Sequence, residues 1–214
     1  MIIEKLTVGP LLENCYIVGD EKSKEGILID PGDEAARILR KIEDLGLKVD
    51  KIVNTHAHVD HICAVQDVKD SLGARFYLHP AETIHFSRLV ESAAMYGFPG
   101  ARVPQVDAEM QDVDCIPVGQ YILRVAHTPG HSPGHCMFVF PEDVFCGDLI
   151  FAGSVGRTDL PGGDYPTMLA SLESAILTLP DQVRLHPGHG PSTTVAIEKH
   201  YNPFLRGLSV RPGS

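Results

Sequence analysis

Residues 56–61 read His-Ala-His-Val-Asp-His and place four side chains that can bind metal within six residues. Imidazole and carboxylate ligands together suit zinc, iron or manganese better than calcium or magnesium. Packing gives no reason to gather three imidazoles and a carboxylate in so short a segment. The segment therefore predicts a metal centre, and the candidate ligands are His56, His58, Asp60 and His61.

These side chains are positioned where a predicted strand, 51–54, gives way to a helix. Side-chain direction repeats every two residues along an extended chain, so His56 and His58 would project to the same side. They could then share one ion. Asp60 and His61, in the first helical turn, leave in a different direction, which indicates a second ion nearby.

Three further short motifs can supply the remaining ligands, and each lies at a predicted strand end or tight turn. They are Thr-Pro-Gly-His ending at His131, Gly-Asp ending at Asp148, and Pro-Gly-His-Gly around His189. Glycine beside a ligand permits backbone angles that other residues resist. Such turns can present a side chain at the edge of a sheet.

The composition is that of an ordinary globular chain, with 43% hydrophobic and 21% charged residues. A formal net charge of −10 would repel a phosphate backbone, so we expect no nucleic-acid partner. No apolar run is long enough to span a membrane, and the first residues carry no secretory signal. We therefore expect a cytoplasmic protein without a membrane partner. No feature of the sequence predicts an oligomeric state.

The five cysteines are scattered and form no Cys-x-x-Cys pair, which disfavours both disulfides and a cysteine zinc site. We predict that they are small buried apolar residues. The 214 residues suffice for one large domain. Strands and helices alternate irregularly, which predicts a mixed α/β fold. We assign a single domain to residues 1–206 and a frayed tail to 207–214.

The boundaries of the longer elements come from apolar spacing and from glycine and proline. Helical spacing predicts helices over 33–45, 60–72, 81–96 and 167–179. Asp33 is the predicted cap of the first helix. Loops are expected over 97–113 and 153–166, where apolar periodicity is absent and glycine and proline cluster.

Taken in order, these motifs resemble the metallo-β-lactamase fold superfamily, whose pattern is His-x-His-x-Asp-His, then His, Asp and His. The resemblance covers nearly the whole chain and implies a four-layer αβ/βα sandwich with the site at one edge of its two sheets. It also implies two divalent ions, with zinc expected and iron or manganese as alternatives. The implied ligands are His56, His58 and His131 for one ion, Asp60, His61 and His189 for the other, and Asp148 as the bridge.

Asp30, in Leu-Ile-Asp-Pro-Gly, also matches a motif of the family that lies beneath the metal site. Such a carboxylate can orient a ligand and tune its affinity, and capping a turn is its alternative role. Six other histidines fit no ligand position, and those at 127 and 135 flank a ligand turn. The six are His79, His85, His127, His135, His186 and His200.

Residues 147–157, Gly-Asp-Leu-Ile-Phe-Ala-Gly-Ser-Val-Gly-Arg, look like the glyoxalase II, or hydroxyacylglutathione hydrolase, branch. The chain departs from that branch at Asp159, where an aromatic residue is usual. Few residues follow Gly190, so the chain resembles a short form without the C-terminal glutathione-binding domain. Arg157 is the predicted ligand of a substrate carboxylate. An ion pair with Asp159 or Asp164 is the alternative for Arg157.

The resemblance implies a binuclear metal-dependent hydrolase, and we predict a small-molecule thioester of the hydroxyacyl-glutathione type as its substrate. Paired ions can lower the pKa of a shared water towards about 7 and so provide the nucleophile. Asp60 and Asp148 are the predicted catalytic carboxylates. The main alternative is a mononuclear iron persulfide dioxygenase using His56, His131 and Asp148. A phosphodiesterase and a non-catalytic metal-binding protein are further alternatives.

Overall fold

Two six-stranded β-sheets form the centre of the structure, a computed structural model that describes residues 1–208. The first sheet contains β1 (Ile2–Val8), β2 (Glu13–Gly19), β3 (Glu25–Ile29), β4 (Lys48–Val53), β5 (Arg75–Leu78) and β6 (Ala108–Glu109), in that spatial order. Its first three strands pair antiparallel. From β3 to β6 the strands are parallel.

The second sheet collects strands from the later part of the chain. They are β7 (Cys115–Val118), β8 (Tyr121–His127), β9 (Cys136–Val139), β10 (Asp143–Gly147), β13 (Arg184–Pro187) and β14 (Thr193–Thr194). Their spatial order is β14-β13-β10-β9-β8-β7, and only β10 and β13 run parallel. A separate small hairpin joins β11 (Ile150–Phe151) to β12 (Ser154–Val155).

Helices cover the outer faces of both sheets. They are α1 (Ala35–Leu45), α2 (Val59–Ile62), α3 (Val65–Leu72), α4 (Leu89–Tyr96), α5 (Tyr165–Ser171) and α6 (Val195–Tyr201). A 3₁₀ helix, Pro80–Arg88, precedes α4, and a π-helical stretch, Leu172–Ile176, follows α5. No helix within the described range is both long and apolar enough to cross a membrane.

Successive side chains along the strands of the first sheet pack alternately against its helices and against the second sheet. In β2, Cys15 and Ile17 belong to the apolar cluster that includes residues of α1 and α3. Between them, Tyr16 and Val18 face the opposite way, into the cluster between the two sheets. All four side chains are almost fully buried. This stretch of the strand is covered on both faces and is apolar, as expected for the inside of a layered fold.

The same alternation continues into the outer two layers. Phe145 of β10 faces the cluster between the sheets, whereas Val144 and Cys146 face a third cluster. Met168 of α5 and Val195 of α6 complete that third cluster. The order helix, sheet, sheet, helix confirms the predicted four-layer αβ/βα sandwich.

The predicted helix over 60–72 is in fact two helices, α2 and α3. The backbone N–H of Ala64 donates to the carbonyl of Pro31 across 3.1 Å instead of continuing the helical pattern. This contact ties the residue after Cys63 to the loop that follows β3. The break keeps α2 short and fixes its position against that loop, which is a tertiary effect that apolar spacing cannot indicate.

Other boundaries also differ from the sequence predictions. Asp33 does not cap α1, because the helix begins after Glu34, whose φ of 54° is left-handed, without a side-chain cap. The predicted helix over 81–96 starts as the 3₁₀ helix at Pro80. Asp164 caps α5 by accepting from the backbone N–H of Thr167, so this helix begins inside the predicted loop.

Five short strands, β6, β7, β11, β12 and β14, were not predicted, since two to four residues carry too little alternation to be recognised. All five cysteines are free, and three are buried as predicted, but Cys115 is exposed. Most of the predicted tail, 207–214, lies outside the described residues. Of its first two positions, Leu208 packs against the third apolar cluster.

Candidate metal centre

Four loops at one edge of the two sheets carry all seven predicted ligands. Each loop follows the carboxyl end of a strand, namely β4, β8, β10 or β13. The segment after β4 and the start of α2 hold His56, His58, Asp60 and His61, and the other three loops hold His131, Asp148 and His189. The structure thus brings together residues that lie up to 133 positions apart in the chain.

The first donor set consists of His56, His58 and His131. Nε2 of His131 lies 2.9 Å from Nδ1 of His58 and 3.2 Å from Nε2 of His56. A tetrahedral zinc site with bonds of about 2.0–2.1 Å holds its ligand nitrogens roughly 3.3 Å apart. The three ring nitrogens therefore converge closely enough to serve as ligands of one ion.

The second donor set consists of Asp60, His61 and His189. Oδ2 of Asp60 lies 3.1 Å from Nε2 of His189, and one donor atom from each residue lies within 4.8 Å of the others. Burial opposes protonation of His189, but its contact with Asp60 raises the pKa of the imidazole. The set matches the grouping that the sequence predicted for a second ion.

Asp148 lies between the two donor sets. Its Oδ1 is 3.5 Å from Nε2 of His61, and its Oδ2 is 3.5 Å from Nε2 of His131 and 3.8 Å from Nε2 of His189. Burial alone raises the pKa of this carboxyl, but the neighbouring imidazoles, His61 first, hold it well below its usual range. A carboxylate that stays ionised here can offer one oxygen to each set.

Hydrogen bonds on the far side of two rings fix which nitrogen faces the cleft. The hydroxyl of Thr55 donates to Oδ2 of Asp30 across 2.6 Å, so its oxygen accepts from Nδ1 of His56 at 3.0 Å. Nδ1 of His61 lies 3.0 Å from the same Asp30 oxygen and donates to it. Both histidines then carry the Nε2 lone pair that a metal ligand needs.

Buried polar atoms test whether these residues fit a metal. Nε2 of His61 and Oδ1 of Asp148 are buried without a hydrogen-bond partner among residues 1–208. Such atoms are nearly always paired in native proteins. Burial opposes charge on His61, but Asp148 and Asp60 raise its pKa, so the position favours a cation. A divalent ion would supply both the charge and the missing partner, and the donors therefore fit one.

The first donor set is electrostatically different from the second. Burial, followed by the neighbouring imidazoles, lowers the pKa of His56 and of His58 well below the usual value. Both rings are therefore neutral at neutral pH. Neutral imidazole is the form that binds metal, so no proton has to leave before these two residues can act as ligands.

Gly188 makes room for the centre. A Cβ atom at this position would press against Oδ1 of Asp148 and lie 2.7 Å from Cε1 of His61. The loop after β13 can therefore approach the donors closely only with glycine beside His189. This close approach explains the Pro-Gly-His-Gly motif in physical terms.

Glu82, from the 3₁₀ helix, ties two ligand loops together and was missed by the sequence analysis. Its Oε2 accepts from the backbone N–H of Ala57, and its Oε1 accepts from Oγ of Ser132 and the backbone N–H of Gly134, each at 2.7 Å. The side chain is fully buried. No sequence signal marked it, because one acidic residue in a predicted helix is typical of a solvent-facing position.

Two other residues lie near the donors, namely His135, which the sequence marked only as flanking a ligand turn, and Glu13, which the sequence analysis missed. Nε2 of His135 accepts from the backbone N–H of Asp148 across 3.1 Å, and its Nδ1 lies 2.9 Å from Oγ1 of Thr128. Burial lowers the pKa of His135 to about 3, so the ring is a neutral acceptor. Glu13 lies 3.9 Å from His61, and burial raises the pKa of its carboxyl. An acidic residue opening an apolar strand was the available signal for Glu13.

Arg157 holds the site through its backbone rather than its side chain. Its carbonyl oxygen accepts from Nδ1 of His131 at 2.7 Å, which leaves the other nitrogen of that ring to face the cleft. Its guanidinium makes two hydrogen bonds of 2.7 Å to Asp159. This is the ion pair that the sequence offered as the alternative. Binding of a substrate carboxylate by Arg157 remains a prediction.

A cavity of about 720 Å³ opens over the donors. Five predicted ligands line it, namely His58, Asp60, His131, Asp148 and His189. His56 and His61 lie behind them and are fully buried. His85 also lines the cavity, with its ring centroid 5.0 Å from that of His58. This cavity therefore gives a small molecule access to the centre.

Comparison with known proteins agrees with this architecture. The chain is 34% identical over 218 residues to the hydroxyacylglutathione hydrolase GloC of Haemophilus influenzae, covering 98% of this chain and all of GloC. Among solved structures, TTHA1623 in a di-iron-bound form is 41% identical, with a TM-score of 0.85, and the match covers 94% of this chain and 100% of that one.

A second solved structure, the BLEG-1 B3 metallo-beta-lactamase, is 33% identical with a TM-score of 0.89. That match covers 96% of this chain and 100% of BLEG-1. The sequence profile of the Metallo-beta-lactamase superfamily matches residues 8–194, a range that includes every predicted ligand. Fold, donor arrangement and similarity therefore agree, and the chain belongs to the metallo-beta-lactamase superfamily.

Proposed function

We propose that this protein is a binuclear metal-dependent hydrolase that cleaves acyl thioesters of the hydroxyacyl-glutathione type. The observation that carries the proposal is the pair of adjoining donor sets, with Asp148 within 3.5 Å of both His61 and His131. Similarity to GloC along the full length of both chains supports the thioester class. Zinc is the metal we propose first, and the di-iron form of TTHA1623 makes iron the alternative.

When bound, two such ions supply a water of lowered pKa and polarise a carbonyl oxygen. The protein's own groups have separate tasks. Asp60, lining the cavity beside His189, would accept a hydrogen bond from the attacking water and orient it. Asp148 is ionised, and its backbone N–H donates to Nε2 of His135. Its carboxylate would hold the two donor sets in position relative to each other.

Thioester cleavage suits a site of this kind because the leaving group needs little help. A thiol has a pKa near 8.5, so the thiolate departs without a strong general acid. Amide cleavage, by contrast, requires protonation of a poor leaving group. The cavity offers neutral imidazole at His58 and ionised carboxylate at Asp148, neither of which is a strong acid at neutral pH.

The test uses metal-loaded full-length protein and a panel of S-lactoylglutathione, neutral acyl thioesters and a phosphodiester. We expect the metal-loaded protein to release free thiol from the thioesters. Removal of the metal with a chelator should abolish this activity. Oxygen consumption with a glutathione persulfide would instead support the mononuclear dioxygenase. Absence of thiol release from every thioester by protein of verified metal content would overturn the proposal.

A second candidate is hydrolysis of a β-lactam ring, which the similarity to BLEG-1 favours. A strained cyclic amide, like a thioester, has a carbonyl that is readily attacked. A chromogenic cephalosporin included in the same panel decides between the two. We expect turnover of thioesters to exceed that of the cephalosporin, and the reverse order would favour the second candidate.

A further inference from the structure

We propose that the cavity over the metal centre selects thioesters with an extended apolar acyl chain. This inference rests on the proposed function, since it names the part of the thioester that the cavity binds. The lining divides into two regions of different character. Ionisable donors form the floor, and apolar side chains form the walls. The wall residues are Leu11, Ile84, Met95, Tyr96, Phe151 and Leu160.

Several of the wall side chains are largely exposed to solvent. Met95 is 78% exposed, Ile84 is 55% exposed and Tyr96 is 49% exposed. Isolated apolar residues on a surface need no explanation, but several that surround one cavity mark a binding site. All three come from the 3₁₀ helix and α4, so one continuous segment forms this side of the cavity.

The apolar walls come close to a histidine of each donor set. The ring of Phe151 lies 6.0 Å from the ring of His189, measured between centroids. At the other donor set, Ile84 lines the cavity together with His85, whose ring lies 5.0 Å from that of His58. A chain attached to a carbonyl at the donors would therefore lie against apolar surface from its first carbons.

A polar, charged thiol such as glutathione matches the apolar walls poorly. Beyond the metal donors, the charged side chains of the lining are Arg88, Glu91 and Arg157. Arg157 is already paired with Asp159. A volume of about 720 Å³ also falls within the range of roughly 300–1,000 Å³ for small-molecule sites. We therefore assign the apolar walls to the acyl half.

The test compares acetyl, butyryl and hexanoyl thioesters of one neutral thiol, N-acetylcysteamine, with metal-loaded protein. Burial of a methylene is worth about fourfold in affinity, so kcat/KM should rise roughly 15-fold for each two added carbons. A parallel series keeps the acetyl group and lengthens the thiol. A rise in the thiol series alone would overturn the assignment to the acyl half.

Matched variants locate the effect. Ile84→Ser should lower the ratio of hexanoyl to acetyl kcat/KM by about three- to tenfold. Ile122→Ser is the control, because Ile122 has nearly the same exposure, 56% against 55%, and lies on β8 away from the cavity. Met95→Ser provides a second wall variant at a position that is still more exposed. An unchanged ratio in both wall variants would contradict the proposal.

Binding of simple carboxylates gives a readout that needs no turnover. Acetate, butyrate and hexanoate are titrated into the metal-loaded protein by calorimetry, and the Kd should fall with chain length. Ile84→Ser should weaken hexanoate but not acetate. A Kd independent of length would overturn this inference even if thioesters are cleaved. Length-dependent Kd values without any thioesterase activity would refute the proposed function and leave the apolar site supported.

Discussion

Oδ2 of Asp30 lies 3.0 Å from Nδ1 of His61 and accepts a hydrogen bond from it. The contact decides which nitrogen of this fully buried ring faces the donors. Asp30 itself has a left-handed φ of 51°, which a non-glycine residue rarely adopts. The strained backbone is held by two further bonds of 2.6 Å from Thr55 to the carboxylate. Asp30 therefore organises the ligand segment after β4 from beneath.

Asp30→Asn should weaken metal binding at the second donor set by roughly 10- to 100-fold. The carboxylate accepts all three of its hydrogen bonds. An amide nitrogen in place of one oxygen would face an N–H or O–H donor and could not accept its hydrogen bond. Calorimetric titration of metal into the apo-protein measures the change. Asp33→Asn, three residues further along and partly exposed, is the control. An unaltered second binding event in Asp30→Asn would refute the orienting role.

The protein should bind two metal ions per chain, and His58→Ala and His61→Ala should each weaken a different one. The two histidines belong to separate donor sets, so removal of either leaves the other set complete. Metal analysis of protein purified without chelators, followed by titration, gives the stoichiometry. One tightly bound ion that His61→Ala does not affect would instead agree with a mononuclear centre.

Asp148→Ala should lower activity by several orders of magnitude, because the carboxylate of Asp148 lies between the two donor sets and would bind both ions. Cys146→Ala, two residues earlier, is the matched control. Cys146 is fully buried in the third apolar cluster, and burial raises the pKa of its thiol, so it provides no nucleophile. We expect it to cost about 1 kcal/mol of stability and little activity. Equal damage from both variants, at equal metal content, would contradict this division of roles.

The gathering of these side chains at one site could be predicted because much of the signal is local. The spacing of His56 and His58 alone predicts that their side chains project to the same side of the chain. Glycine marks the turns at His131 and His189. Asp148 was indicated by a short Gly-Asp motif at a predicted strand end, and its bridging position came from the family pattern. Glu82 could not be recognised, since its role depends on loops about 25 and 50 residues away. Sequence spacing carries no information about such contacts.

The layers of the fold could likewise be predicted better than its boundaries. The family pattern implied the sandwich, and the apolar strand β2 agrees with a position between two layers. The break between α2 and α3 could not be foreseen, because the N–H of Ala64 turns to Pro31, which lies on another loop. A short edge strand such as β6 depends on its partner β5 rather than on its own two residues.

Glu82→Ala should lower the free energy of unfolding by on the order of 3 kcal/mol, because three donors lose a buried acceptor. The donors are Ala57, Ser132 and Gly134, which belong to the loops of both His56 and His131. Urea unfolding of the apo-protein measures the loss without any metal contribution. Glu43→Ala, on the exposed face of α1, should change stability by less than about 0.5 kcal/mol. Similar values for the two variants would show that Glu82 does not brace these loops.

Arg157 and Asp159 should affect the binding of an anionic thioester in opposite directions. The guanidinium is held by Asp159 through two bonds of 2.7 Å, yet both side chains are more than half exposed, so a substrate carboxylate can compete for it. Arg157→Ala should raise KM for S-lactoylglutathione by roughly three- to fivefold, as expected for an exposed ion pair, while kcat changes less. Asp159→Asn should lower that KM because it frees the guanidinium.

Neither variant should alter the kinetic constants for a neutral thioester, since the contact of Arg157 with His131 is made by its backbone carbonyl and survives both changes. Steady-state kinetics on the two substrates provide the measurement, and a parallel rise of KM for both substrates in Arg157→Ala would assign the residue to loop structure instead.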